Sequence, residues 1–365
     1  MARTLPTPVR PRATTARTVA VGVTGLALAG CSVAGTGAAP DEASSGPGST
    51  VTLVTHESFA VDEDVLAAFE ERSGLTVEIV QQGDGGALVN QLVLTRESPL
   101  GDAVFGIDNS FASRAIDEGV VEPYVSPELS AGAAALAPDD AGHLSAVDLG
   151  DVCVNVDHTW FAERGIPEPV TLQDLTEPAY RDLLVVQNPA TSSPGLSFLL
   201  ATVGAFGEDG WTGYWQALRD NGVRVVDGWS DAYTVDFSGS SGAGPRPLVV
   251  SYASSPPAEV PEGATQAPTG ALLDTCFRQV EYAGVLAGTD NPEGAREVVD
   301  FLLGAEFQAG VPEQMYMYPA DDHVALPPAW QAFAPLSPQP FTVAPDEIDA
   351  HRDEWIRTWT DTVVG

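Results

Sequence analysis

The sequence predicts an α/β protein with two lobes and a mainly parallel sheet. Short apolar runs of strand length alternate with segments in which apolar residues recur at helical spacing, which is the rhythm of βαβ units. The chain has 365 residues, of which 44% are hydrophobic. This length is sufficient for two hydrophobic cores of ordinary domain size. No internal repeat of fixed period is visible.

The first part of the pattern contains three strands and two helices. The strand and loop TVTLVTHESFA precede an amphipathic helix at residues 62–72, which we expect to end at Gly74 because glycine tolerates the left-handed conformation of a helix C-terminus. The run LTVEIVQQG is the next strand, residues 87–97 are the next helix, and GDAVFGIDN is the third strand. These elements predict a parallel βαβαβ unit.

The pattern restarts after Gly150. Strands are predicted at VCVNVD, LLVVQNP, VRVVDG and PLVVSYASSP, with helices at residues 196–206 and 211–221. The segment SGSSGAGPRP, rich in Gly, Ser and Pro, predicts a mobile surface loop. Two further helices, at residues 291–303 and 305–310, precede the stretch VPEQMYMYP.

The N-terminus has the pattern of an export signal. Residues 1–17 carry four arginines and no acid, and residues 18–30 (TVAVGVTGLALAG) are an apolar run that ends at Cys31. Such a run is too short to span a membrane and is typical of a secretory signal. The tetrapeptide LAGC resembles the bacterial lipobox, which implies lipidation of Cys31; the alternative is an ordinary cleaved signal with a chance cysteine. Residues 31–50 are rich in Gly, Ser and Pro, which predicts a flexible tether.

The charge of the chain is strongly negative. There are 51 acidic residues against 16 basic ones, all arginine, and the formal net charge is −35. This charge excludes nucleic acid and anionic lipid headgroups as partners, so the membrane would be reached through the lipid anchor only. Either the charge serves solubility, or it also favours a cationic ligand.

Two cysteines remain when Cys31 is assigned to the lipid. Cys153 and Cys276 lie in strand-like segments, GDVCVNVD and LLDTCFRQVEYAG, of a chain that we expect to be exported to a disulfide-permissive compartment. We therefore predict one disulfide between them. The alternative, a catalytic cysteine, lacks a surrounding pattern of histidine and acid.

The stretch VQNPATSSPGLSFLL, residues 186–200, predicts a helix start. A hydroxyl of Thr191, Ser192 or Ser193 would cap a helix whose first turn holds Pro194, because these side chains accept hydrogen bonds from free backbone amides and proline lacks an amide. The loop either only caps the helix or also holds a ligand oxygen or phosphate at its positive end.

Other candidate binding residues also follow strands or helices. The triplet Asp-Gly-Gly at residues 84–86 is either a plain turn or a ligand contact. Aromatic residues stand in loops at Trp229, Tyr252, Tyr316 and Tyr318. They either pack into the core or hold a flat cation by stacking and cation–π contact.

The sequence contains no signal for catalysis. The G-x-S-x-G, P-loop and dinucleotide-binding patterns are absent, and the five histidines have no metal-ligand spacing. We therefore expect a protein that is not an enzyme, with no metal and no cofactor.

A series of motifs resembles one family. The segments THESFA, GDGGALVNQL, DAVFGIDN, NPATSSPGLSFLL, DGWSDAY, SYASSPP, FQAGVPEQMYMYP and PDEIDAHRDEWIRTW are similar, in the same order, to those of thiamine-binding substrate-binding proteins of bacterial ABC transporters. The resemblance implies a type II periplasmic-binding-protein fold. Residues 51–147 and 282–365 would form one lobe and residues 148–281 the other, with crossing hinge strands near residues 148–156 and 274–282. The two cysteines fall on these strands, so their disulfide would join the hinge and not the cleft.

The resemblance also implies the ligand contacts. Where the family has an aromatic residue followed by Asp, this chain has His56 and Glu57, and where it has Trp, this chain has Tyr316, so His56 and Tyr316 are only possible contacts. The contacts carried over directly are Asp84, Gly85, Ser192, Ser193, Trp229, Tyr252, Ala253, Ser254 and Ser255.

The function implied is capture of thiamine, or of its phosphates, by a monomeric lipoprotein on the outer face of the cytoplasmic membrane, and delivery to an ABC permease. Trp229 and Tyr252 would stack on the rings, Asp84 would accept a hydrogen bond or offset the cation, and the serines would bind hydroxyl or phosphate oxygens. One alternative is a ferric iron-binding protein of the same fold that uses Tyr316, Tyr318, His56 and Glu57. Another is a thiamine-degrading enzyme, which would need a cysteine nucleophile in the cleft.

Overall fold

The structure is a computed structural model that describes residues 50–365. The predicted signal peptide, the predicted lipidation site Cys31 and the predicted tether up to residue 49 lie outside the described residues; Thr50, also predicted in the tether, begins the first strand. Within residues 50–365, the helices are all too short or too polar to cross a membrane.

The described residues form ten strands, several of them as the apolar runs predict. The strands are β1 (Thr50–Thr55), β2 (Thr76–Gln81), β3 (Ala103–Asp108), β4 (Val121–Glu122), β5 (Ser145–Asp157), β6 (Leu184–Gln187), β7 (Arg224–Val226), β8 (Leu248–Tyr252), β9 (Thr269–Leu286) and β10 (Tyr318–Pro319).

The described residues also form ten α-helices. They are α1 (Glu63–Ser73), α2 (Gly85–Leu94), α3 (Ala112–Asp117), α4 (Ala131–Ala134), α5 (His158–Arg164), α6 (Ser193–Asp220), α7 (Pro292–Leu303), α8 (Ala305–Gln314), α9 (Pro328–Phe333) and α10 (Pro345–Val363). A π-helical turn, Asp231–Asp236, follows β7.

The described strands belong to one mixed sheet in the order β2-β1-β3-β9-β5-β8-β6-β7, with β4 on β9 and β10 on β5. At one end β1 pairs in parallel with β2 and β3, and at the other β6 pairs in parallel with β7 and β8. Between these groups, β5 and β9 are antiparallel to each other and to their outer neighbours β8 and β3. The prediction of a mainly parallel sheet is therefore correct for the two outer groups and wrong for the centre.

The two long central strands contain the predicted hinge segments. Residues 148–156 lie inside β5, and residues 274–282 lie inside β9, which begins at Thr269 and continues to Leu286. The predicted boundaries between the lobes thus fall within β5 and β9. Because β9 pairs with β3 of one parallel group and β5 pairs with β8 of the other, the pairing of β5 with β9 joins the two groups.

The predicted disulfide is confirmed. Cys153 on β5 and Cys276 on β9 are bonded, and both side chains are fully buried beside Ala253. The β5–β9 register shifts between Val152 and Val154, next to the bond. The disulfide therefore joins the two central strands at an irregular point of their pairing.

Helix ends follow the predicted capping chemistry. The side chain of Asp62 accepts the amides of the first turn of α1, and Gly74 ends this helix in the left-handed conformation. Ser192 caps α6, with Pro194 in its first turn. The two helices predicted at residues 196–206 and 211–221 are the two helical stretches of α6, which meet at a kink at Gly207, whose φ of 66° and ψ of 176° are not helical.

The C-terminal helix α10 packs on both sides of the predicted lobe division. Trp359 on α10 meets Trp215 on α6 edge to face at 5.4 Å, while Arg352 donates hydrogen bonds to the backbone of Ser110 and the hydroxyl of Ser113. Residues 345–363, which were assigned to the first predicted lobe, therefore contact elements of both.

Candidate functional site

A cavity of about 410 Å³ opens at the carboxyl ends of several strands. Strands β1, β2, β6 and β8 end beside it, which is where ligands bind in parallel α/β sheets. Seven of the predicted thiamine contacts line it, namely His56, Asp84, Ser193, Trp229, Tyr252, Ser255 and Tyr316, as does Glu57, which was named for the iron alternative. The fold thus brings together residues that are far apart in the chain.

Four other residues named from the sequence lie behind this lining. They are Gly85, Ser192, Ala253 and Ser254, all buried and none of them a lining residue of the cavity. Ser192 caps α6 and Ala253 packs on the disulfide. In this arrangement these residues support the site and do not face its space.

Asp84 connects three segments of backbone. Its Oδ1 accepts hydrogen bonds from the amides of Gly85 at 2.6 Å and Ser193 at 3.0 Å, and its Oδ2 accepts the amide of Trp229 at 2.9 Å. Burial raises the pKa of Asp84, although the hydrogen bonds from the Ser192 hydroxyl and from these amides lower it. One carboxylate therefore joins the N-termini of α2 and α6 to the loop that carries Trp229.

The glycines after Asp84 permit this close approach. A Cβ on Gly85 would overlap the Ser193 hydroxyl, and one on Gly86 would lie 2.8 Å from the carbonyl carbon of Thr191. The amide of Ala87 donates to the Thr191 oxygen at 2.9 Å. The Asp-Gly-Gly triplet is therefore a helix start with a close backbone contact, and not a plain turn.

Ser193 also bonds to a carboxyl that the sequence interpretation missed. Its hydroxyl donates to Oδ2 of Asp108, while the Oδ1 of Asp108 accepts the amide of Ser110 at 2.6 Å. Asp108 is fully buried at the end of β3. Burial raises its pKa to about 6, although the hydrogen bonds from Ser110 and Ser193 oppose the shift.

The raised pKa of Asp108 predicts a specific pH dependence of stability. Between the usual carboxyl pKa near 4 and the native pKa of about 6, the native state binds more protons than the unfolded chain. The free energy of unfolding therefore falls as the pH rises through this window, by up to about 3 kcal/mol from this group. We expect the free energy of unfolding of Asp108→Asn to decrease less between pH 4 and pH 7 than that of wild type, as measured by urea unfolding at pH 4, 5, 6 and 7.

The exposed Asp346→Asn variant is the matched control for Asp108→Asn, since Asp346 lies in the first turn of α10, far along the chain from the cavity residues. It should keep the wild-type slope of unfolding free energy against pH. An identical slope in Asp108→Asn and wild type would contradict the assignment of the pH dependence to Asp108.

Two stacked aromatic rings form one wall of the cavity. Trp229 lies 4.9 Å from Tyr233, with 12° between the ring planes. The indole Nε1 donates to the hydroxyl of Ser251 at 2.9 Å, and the Tyr233 hydroxyl donates to Glu259 at 3.1 Å. Tyr233 belongs to the π-helical turn, a conformation that is frequent at functional sites. Both polar ends are hydrogen-bonded, so the ring orientations are held in place.

Tyr252 and residues of β9 form the floor. The Tyr252 hydroxyl accepts from Gln279 Nε2 at 3.0 Å, and the same nitrogen donates to Glu281 at 3.1 Å. Burial raises the pKa of Tyr252 well above its usual range, so the phenol stays protonated. His56 Nε2 lies 3.6 Å from Glu281 Oε1. Burial lowers the pKa of His56, but Glu281, together with Asp84 and Glu57, raises it, and the net shift is upward.

The mouth of the cavity is formed by the segment after α8. Met315, Tyr316 and Met317 line the cavity there. Tyr316 is 40% exposed and has a φ of 55°, which is uncommon for a residue with a side chain and occurs at ligand sites. Tyr318 is not in the cavity: it is buried edge to face against Trp330, 5.0 Å away.

Several lining residues escaped the sequence interpretation. Glu281 lies within a long strand, where Gln279 and Glu281 alternate with apolar residues, and this alternation was the available signal. Ser240 lies in the segment predicted as a mobile surface loop but is buried and lines the cavity. The other lining residues missed include Tyr233, Thr234, Met315 and Met317.

Known structures share this architecture. A periplasmic thiamin binding protein has a TM-score of 0.74 and 26% identity to this chain, with 86% of this chain and 96% of that one covered. Iron-bound HitA from Pseudomonas aeruginosa has a TM-score of 0.64 at 18% identity, over 86% of this chain and 99% of that one. The fold is that of a type II periplasmic binding protein, and the predicted fold class is confirmed.

The family follows from the sequence comparison. Residues 102–338 match the family described as bacterial extracellular solute-binding protein, and the chain belongs to this family. The thiamine-binding periplasmic protein of Escherichia coli K12 is 30% identical over 86% of this chain and 93% of its own length. The protein of the same name from Brucella suis is 28% identical over 85% and 91%. The resemblance drawn from the eight motifs is confirmed.

Proposed function

We propose that this protein is the exported substrate-binding component of a bacterial ABC importer and that it captures thiamine, or a thiamine phosphate, in the cavity. The observation that carries the proposal is the lining: Trp229, Tyr233, Tyr252 and Tyr316 contribute rings. Carboxylates also line it, and among residues 50–365 no arginine does. The names of the relatives from Escherichia coli and Brucella suis support the same ligand.

The chemistry of thiamine matches this lining. Its thiazolium ring is a flat cation, which aromatic faces attract, and its aminopyrimidine offers donors and acceptors along one edge. A volume of about 410 Å³ lies in the range of sites for small molecules. We propose that Trp229 and Tyr252 stack on the rings, with Tyr316 at the mouth, and that Asp84 accepts from the exocyclic amine.

Oxygens of the ligand would be bound by neutral donors. Ser193 and Ser255 line the cavity, and Ser193 stands at the positive N-terminal end of α6. A hydroxyethyl group or a phosphate placed there would displace the bond between Ser193 and Asp108, or accept from nearby amides.

We also propose that the two parallel groups of strands belong to two lobes that close on the ligand. The bonds from Asp84 to the Ser193 and Trp229 amides, and from Ser193 to Asp108, join residues of the two predicted lobes. Opening at β5 and β9 would break these bonds and admit the ligand, as in hinge closure of other two-lobed proteins.

Equilibrium dialysis against thiamine, followed by chromatography of the recovered ligand, tests the proposal. We expect saturable binding and recovery of thiamine intact. Fragments of the vitamin would instead support the degrading enzyme, which needs a nucleophile in the cleft; Cys153 and Cys276 are bonded to each other and lie outside the cavity lining. Absence of saturable binding would contradict the proposal.

The iron alternative has a visible readout. A ferric tyrosinate site absorbs visible light, whereas a thiamine complex does not. Tyr316 lines the cavity and Tyr318 does not, which disfavours a site that uses both. Among the His, Cys, Asp and Glu side chains of residues 50–365, those that could form a three-ligand metal group are Asp321, Asp322 and His323, and none of them lines the cavity. Colour on addition of ferric citrate, abolished by Tyr316→Phe, would favour iron.

The lipid anchor gives a separate prediction. We propose that Cys31 is lipidated and that the tether keeps the folded part independent of the lipid. Cys31→Ser should move the protein from the membrane to the soluble fraction without changing its affinity for thiamine, as fractionation and a binding titration would measure. Retention of this variant in the membrane fraction would count against lipidation.

A further inference from the structure

Three carboxylates line the cavity, and their surroundings differ. Glu57 is exposed, so water and salt screen its charge. Asp84 already accepts three backbone amides. Glu281 is only 5% exposed and accepts one hydrogen bond, from Gln279. Glu281 is therefore the cavity carboxylate with a buried charge and free acceptor capacity.

Among residues 50–365, no arginine forms an ion pair with Glu281. Within residues 50–365, its one ion-pair partner inside 4.0 Å is His56, whose Nε2 lies at 3.6 Å. The Nδ1 of His56 accepts the amide hydrogen of Ser58 at 3.1 Å, so the proton of the ring is on Nε2 in this arrangement. A second ring hydrogen, on Nδ1, would point at the amide hydrogen of Ser58 and repel it. The arrangement shown is that of a neutral ring, which carries no charge to offset the carboxylate. Protonation, which Glu281 favours by raising the pKa of His56, would cost the hydrogen bond from Ser58.

A second buried carboxyl lies beside Glu281. Asp148 on β5 is the register partner of Glu281 on β9 and is fully buried. Burial, and then the neighbouring Glu281, raise the pKa of Asp148 well above its usual range. Asp148 is therefore the protonated member of the pair, because two adjacent buried carboxyls do not both ionise.

We propose that Glu281 is the counter-charge that selects a cationic heteroaromatic ring in this cavity over a neutral ring of the same shape. A buried carboxylate is costly when unpaired, and its attraction to a cation is much stronger in a dry site than in water. The face of a cationic ring could then lie against the aromatic wall while its charge faces Glu281. This inference rests on the proposed function and concerns what determines its specificity.

The test compares thiamine with its neutral isostere, in which a thiophene replaces the thiazolium ring. Wild type should bind thiamine more tightly than the isostere. Glu281→Gln keeps the size and the hydrogen-bonding capacity of the side chain but removes the charge. We expect it to weaken thiamine binding about ten- to hundredfold and to leave binding of the isostere within about threefold, both measured by calorimetry.

The matched control is Glu313→Gln, which removes an exposed carboxylate one residue before the lining residue Gln314. It should leave both affinities within about threefold. Equal weakening of both ligands in Glu281→Gln, or unchanged preference for thiamine, would overturn the role of Glu281 while leaving the proposed function in place. A folded wild type that binds neither ligand would overturn both.

Discussion

Trp229→Ala is expected to weaken thiamine binding by about 2–4 kcal/mol, the effect of removing a central aromatic anchor from a desolvated pocket. The indole lines the cavity, stacks on Tyr233 at 4.9 Å and is oriented by its bond to Ser251. Its removal takes away the stacking face and the cation–π attraction. Trp229→Phe keeps a ring and should lose less, since indole is the stronger cation–π partner.

Affinity and melting temperature must be measured on the same preparation, because Trp229 also packs against the small cluster of Tyr233 and Phe237. Trp160→Ala is a matched control: this partly buried indole lies on α5 against the Arg164 guanidinium, 4.2 Å away, and outside the cavity lining. It should leave the affinity for thiamine unchanged. A folded Trp229→Ala protein with wild-type affinity would refute the stacking role.

The Cys153–Cys276 disulfide is expected to contribute about 2–4 kcal/mol to the free energy of unfolding. It closes a loop with a sequence separation of 123, for which the chain-entropy relation has an upper value of about 5 kcal/mol. The double variant Cys153→Ala/Cys276→Ala removes the bond without leaving an unpaired buried thiol. Urea unfolding of this variant and of the oxidised protein, at one protein concentration, measures the difference.

The disulfide lies in the central strands and not in the cavity lining, so the double variant should bind thiamine as wild type does. In a protein that carries Cys31→Ser, we expect no titratable thiol in guanidinium chloride without reductant. Two titratable thiols there, or equal unfolding free energies with and without the bond, would contradict this prediction.

Helix ends were predictable because their chemistry is local. Asp62 and Gly74 bound α1, and Ser192 with Pro194 starts α6, as short-range capping rules require. The predicted separation of residues 196–206 from residues 211–221 is local in the same way, since the helical geometry breaks at Gly207.

The antiparallel centre of the sheet was not predictable from local pattern. Strands β5 and β9 pair residues more than a hundred positions apart, such as Val152 with Phe277. A run of apolar residues does not indicate whether its strand will pair in parallel or antiparallel. The resemblance to the family did place the crossing strands. It also named aromatic residues that line the cavity, but not Glu281 or Asp108, whose partners become neighbours only after folding.

Calorimetric titration of the oxidised protein with thiamine, thiamine monophosphate and thiamine diphosphate tests the central claim most directly. Our account predicts one binding site per chain for thiamine, with a negative heat-capacity change on binding because the ligand buries apolar surface. The same titration of Trp229→Ala should show markedly weaker binding. No heat beyond dilution for any of the three ligands, from a protein whose melting transition shows that it is folded, would contradict the account.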